Sequence, residues 1–62
     1  LNLESSTPIL SAVLRNVLGQ VVLDVNENDI QIVDLSNVPN GNYLLILSNG
    51  DKLNTQKVNI LK

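Results

Sequence analysis

The fold class that the sequence predicts is all-β: a small antiparallel immunoglobulin-like β-sandwich of about six to seven short strands. Three observations predict it. Apolar residues recur at every second position and not every third or fourth, the period of a strand whose side chains alternate between two faces. Val, Ile and Asn are abundant against one Ala and two Glu, which disfavours helix throughout. Clusters of turn residues break the chain at intervals of about ten residues, the spacing of a sandwich or small barrel.

Each element follows from its residues. Leu1 and Leu3 alternate ahead of the break at Ser5, Ser6, Thr7 and Pro8, as the end of a strand followed by a loop does. Ile9 to Arg15 reads as the next strand, with Ala12 and Leu14 on one face and Val13 and Arg15 on the other. Asn16 to Gln20 is a turn, because Gly19 can take a positive φ that Val17 or Leu18 would resist. Val21 to Val25 returns antiparallel and completes a hairpin. The polar run Asn26, Glu27, Asn28, Asp29 is a further turn, after which Ile30 and Ile32 alternate with Gln31 in a short strand. Asp34 to Gly41 forms a corner. Tyr43, Leu45 and Leu47 then share one face of a strand, and Asn49 followed by Gly50 is a strong hairpin motif that sends the last strand back from about Lys52 to Leu61. The chain opens directly on a strand-like run, so it reads as an N-terminally truncated fragment whose sheet lacks its first strand.

Composition narrows what such a domain can do. At 62 residues there is room for one small domain, residues 1–62, and its 44% apolar content is supplied almost entirely by Leu, Val and Ile. With no Cys and no His, disulfide staples, the usual zinc ligands, thiol nucleophiles and near-neutral proton shuttles are all missing. No catalytic, cofactor-binding or metal residue is therefore assigned. The net charge is -2 with four cations and a single aromatic ring, which sets nucleic-acid binding aside. No apolar run exceeds five residues, so no transmembrane segment is expected.

Four local patterns carry the remaining information. Asp24, Val25, Asn26, Glu27 and Asn28 begin like a calcium loop, but Asp29 stands where that loop needs Gly and Leu35 where it needs Glu, so a solvated hairpin loop is the better reading. Pro39, Gly41 and Tyr43 have the spacing of a tyrosine corner, in which the ring packs inward and the hydroxyl returns to backbone a few residues upstream. Leu44 and Ile46 lie opposite Tyr43, so this strand is apolar on both faces and its second face should be covered. Lys57 and Lys62 bracket the last strand, where edge charges discourage aggregation.

Taken together, NVLGQVVL at Asn16 to Leu23, VDLSNVPNGNYLLIL at Val33 to Leu47 and TQKVNILK at Thr55 to Lys62 resemble the type A C-terminal sorting domain of the type IX, or Por, secretion system of Bacteroidetes-type bacteria. Members show an N-x-x-G-Q hairpin, a D-x-S-x-x-P-x-G-x-Y corner and a basic-hydrophobic last strand. These fall here on Asn16, Gly19 and Gln20, on Asp34, Ser36, Pro39, Gly41 and Tyr43, and on Lys57 and Lys62. The Pro-Asn-Pro opening strand of the family is missing, Arg15 stands at an often aromatic position, and Ile46 at one that is often Lys. The resemblance implies an address and not an enzyme. A fused upstream cargo would cross the inner membrane, fold in the periplasm and be carried over the outer membrane by a translocon and a shuttle protein. A sortase-like peptidase would remove the domain, leaving the cargo secreted or on the cell surface. Lys57 and Lys62 are the expected recognition residues; Asn16, Gly19, Gln20, Pro39, Gly41 and Tyr43 are the structural ones. Self-association through the open sheet edge is a further expectation, and a noncatalytic adhesion or carbohydrate-binding module of a secreted protein is the alternative.

Overall fold

The computed structural model describes residues 7–62; the expected strand around Leu1 and Leu3 lies outside them. Four strands form, each where apolar residues alternate: β1 Ser11–Arg15, β2 Val21–Asn26, β3 Gly41–Ser48 and β4 Leu53–Ile60. All pairs are antiparallel and make one sheet in the order β2-β1-β3-β4. The register pairs Leu14 with Leu23 and with Leu45, and Tyr43 with Val58, so the alternating apolar residues of neighbouring strands arrive on the same face. A bulge between Leu14 and Arg15 shifts the pairing so that Arg15 meets Val21 next to the β1–β2 turn.

The core lies on that inner face. Ala12, Leu14, Leu45, Leu47 and Ile60 from the sheet are buried together with Ile9, Ile30, Val33 and Val38 from the connecting segments. Leu14, Ile30, Val33 and Leu45 are the largest fully buried side chains, each contributing about 1.5–3 kcal/mol of burial free energy. The chain between β2 and β3 crosses this face and is tied down where the Ile30 N–H donates to the Ile9 carbonyl at 2.8 Å.

This arrangement differs from the expected six to seven strands. Among the described residues there is one sheet of four strands, and the layer opposite it is made by loops that insert side chains without forming a second hydrogen-bonded sheet. The strand expected at Ile30 to Ile32 shrinks to one bridged residue, Ile32. Ile30 and Val33 are buried while Ile32 is 68% exposed, a three-residue spacing that strict alternation cannot produce. The ninth residue also sits outside its expected strand: Ile9 packs into the core, and β1 starts two residues later. On the outer face, where the pattern of β3 calls for a cover, Leu44 is 39% exposed and Ile46 half-buried.

Candidate recognition surface

Three motif-bearing stretches converge at one end of the sheet. Arg15 pairs with Leu44 and Gly41 with Ile60, so the β1–β2 turn, the corner before β3 and the end of β4 all lie beyond the same edge of the strand ladder. The hairpin end at Asn49 to Lys52 lies at the other.

The β1–β2 turn is built around one side chain. Asn16 Oδ1 accepts from the Leu18 and Gln20 N–H groups, each at 3.0 Å, and Asn16 Nδ2 donates to Gln20 Oε1 at 3.0 Å. The backbone closes the same loop, with Asn16 N–H donating to the Gln20 carbonyl and Gly19 N–H to that of Asn16. Gly19 takes a φ of +83°, where a side chain is strained. A Gly19 carbonyl thus turned outward accepts from an Arg15 guanidinium nitrogen at 2.8 Å. Asn, Gly and Gln are needed at these positions because each closes a different part of one turn.

The corner uses short-range bonds of the same kind. Asp34 Oδ1 accepts from Ser36 N–H at 2.9 Å, and Val38 N–H donates to the Leu35 carbonyl. The Ser36 N–H and then the Ser36 hydroxyl hold the Asp34 carboxyl below the usual aspartate value, with a smaller contribution from the Lys62 charge, against a desolvation cost that raises it. The Tyr43 hydroxyl donates to the Pro39 carbonyl at 2.7 Å, and its ring packs against the core. Gly41 sits beneath that ring: a Cβ there would come to 3.6 Å from Tyr43 Cε2, on a backbone with φ of +155°.

Lys62 is the residue whose place the sequence could not foretell. Its ammonium donates to the Ser36 carbonyl at 2.9 Å and to the Val38 carbonyl at 2.6 Å, while its backbone N–H donates to Asn40 Oδ1 at 3.0 Å. The segment after β4 is thereby stitched to the corner over separations of 22 to 26 residues. Asn40, a participant in this clamp, was not singled out from the sequence, because nothing local distinguishes it from any turn asparagine. Lys57 is placed differently. It projects from the outer face of β4 beside Leu44, exposed and with no hydrogen-bond partner among the described residues. The structure thus gathers Lys62 with the corner, leaves Lys57 apart on the sheet face, and holds Asn16, Gly19 and Gln20 in their own turn.

Among the described residues no group of three or more His, Cys, Asp or Glu could hold a metal ion, and no helix is long and apolar enough to cross a membrane. Comparison with known families matches residues 1–61 to the secretion system C-terminal sorting domain. With nearly the full length of the sequence matched, the chain belongs to that family, the C-terminal sorting signals of type IX secretion. No curated protein and no solved structure matches it. Its function is that of a sorting signal, which implies a fused cargo, the type IX machinery as partner, and delivery to the cell surface or secretion. The family is not one of enzymes, and the adhesion or carbohydrate-binding alternative has no support.

Proposed function

We propose that residues 1–62 form a single immunoglobulin-like sorting domain whose address is read at the terminal strand and at the corner to which that strand is clamped. The translocon and shuttle protein of the outer membrane read this surface after the cargo has folded in the periplasm, and a sortase-like peptidase then cleaves upstream of the domain. The observation that carries the reading is the Lys62 clamp, because it ties the segment after β4 to the corner and makes the two one surface with defined geometry. Recognition of a folded patch needs shape and charge, and it needs no reactive side chain. Lys57 supplies an exposed charge for steering the encounter, and Lys62 holds the surface in shape.

The test is export of a periplasmic reporter fused to the domain in a host that has the translocon. Deleting Thr55 to Lys62 should trap the reporter in the periplasm. Lys57→Ala should lower export while leaving the unfolding midpoint nearly unchanged, since an exposed unpaired charge contributes little to stability. A reporter that stays periplasmic with the intact domain refutes the reading.

A further inference from the structure

The outer face of the sheet carries a cross-strand row that the sorting motifs do not explain. Arg15, Leu44 and Lys57 are direct register partners on β1, β3 and β4, so a half-exposed leucine stands between two cations. Neighbouring strands lie about 4.8 Å apart, which separates the two cationic residues by about 10 Å at the backbone. The next row pairs Val13 with Ile46 and extends the apolar strip behind Leu44. Two of the chain's four cations are thus spent on one face of a molecule whose net charge is -2.

Arg15 donates one hydrogen bond to a backbone carbonyl, Lys57 donates none, and neither meets a carboxylate among the described residues. Of the described acids, Glu27, Asp29, Asp34 and Asp51 lie in the connecting loops, and only Asp24, opposite Val13, belongs to this part of the sheet. Asp24 already accepts from Asn26 Nδ2 at 3.1 Å. An apolar strip with uncompensated positive charge at both ends is complementary to an apolar side chain flanked by carboxylates.

Resting on the sorting reading, we infer that this face is a docking site for an acidic, apolar segment of a protein partner in the secretion machinery, seated with its apolar residue on Leu44 and its carboxylates on Arg15 and Lys57. A membrane surface fits less well, because two cations fall short of a polybasic cluster and the one aromatic ring, Tyr43, packs against the core on the other side of the sheet. A second copy fits less well too, since its matching face brings a single carboxylate that is already hydrogen-bonded.

The test begins with amide chemical shifts of the full chain titrated with a peptide bearing Glu, Leu and Glu at alternate positions, which an extended chain presents on one side. The same peptide with Gln in place of Glu is the control. Shifts should centre on Arg15, Leu44 and Lys57, weaken with added salt and vanish with the control. Leu44→Thr and Arg15→Gln, both away from β4, should each weaken peptide binding about tenfold while keeping the spectrum of the folded domain. In the export assay the same two variants should lower secretion several-fold. Binding to anionic phosphatidylglycerol vesicles without binding of the peptide would overturn the inference, as would concentration-dependent shifts on this face in the domain alone. Normal export of Leu44→Thr and Arg15→Gln, with export still lost on deletion of Thr55 to Lys62, would overturn the docking face and leave the sorting reading standing.

Discussion

Replacing Lys62 by Met removes the ammonium and keeps most of the stem, so it isolates the clamp at the end of β4. Two donor bonds are lost, to the carbonyls of Ser36 and Val38, and the Val38 residue is 5% exposed, so its carbonyl has little water to turn to. A hydrogen bond involving a charged group is worth about 1.5–3 kcal/mol when shielded. The Ser36 bond is exposed, which reduces its share toward the range of surface interactions, and ordering a long lysine offsets part of the rest. The expected loss is about 1–1.5 kcal/mol, or about 5–10 °C in the unfolding midpoint of a domain this small. The assay is thermal unfolding by circular dichroism at neutral pH for wild type, Lys62→Met, Lys62→Arg and Lys57→Met. Lys62→Met should melt well below the others, Lys62→Arg should recover part of the loss, and Lys57→Met should match wild type. Because the acceptors are neutral carbonyls and not carboxylates, moderate salt should change the difference little. Equal midpoints for Lys62→Met and Lys57→Met would refute the reasoning and return Lys62 to the status of a free surface charge.

Other expectations follow from the same bonds. Tyr43→Phe should cost about 0.5–1.5 kcal/mol through the lost bond to Pro39, and Tyr43→Ala about 2–4 kcal/mol through the emptied edge of the core, both read from urea midpoints. Gly19→Ala meets nothing within 4 Å but keeps a φ of +83°, so its cost of about 1–2 kcal/mol should be conformational alone, and Gly19→Asn should be milder. Asp34 is held below its ordinary value of 3.8 in the folded state, so its stabilising effect is complete above that value and is lost as pH falls through the lower native one. Asp34→Asn should therefore lower the neutral plateau of a stability profile slightly and flatten its acid limb below about pH 4, so that wild type and variant converge in acid.

Much of this domain could be read from residues that act on their neighbours. The β1–β2 hairpin was legible because Asn16, Gly19 and Gln20 close their turn within five residues, and the corner because Pro39, Gly41 and Tyr43 interact across the same short span. Alternation located the apolar side of β1, β3 and β4, with Ala12, Leu14, Leu45, Leu47 and Ile60 buried as the period of two requires. Alternation over Ile30 to Ile32 misled about which side chains face inward, because Ile30 and Val33 are the buried pair and only Ile32 carries a bridge.

What the sequence determined by itself is the all-β class, the turns, the inner face and the family, since each depends on contacts a few residues long or on the order of whole motifs. The tertiary structure decided the rest: that among the described residues Ile9, Ile30, Val33 and Val38 from the connecting segments complete the core, that Leu44 is partly exposed on the far side of β3, and that Lys62 closes on Ser36 and Val38 while Lys57 does not close on anything described. The two lysines are alike in sequence, each following a polar or apolar run near the end of the chain. They differ because sheet register sends one to an open face and carries the other to carbonyls 24 and 26 residues away, a distance in sequence that no local pattern encodes and that only packing brings to hydrogen-bond range.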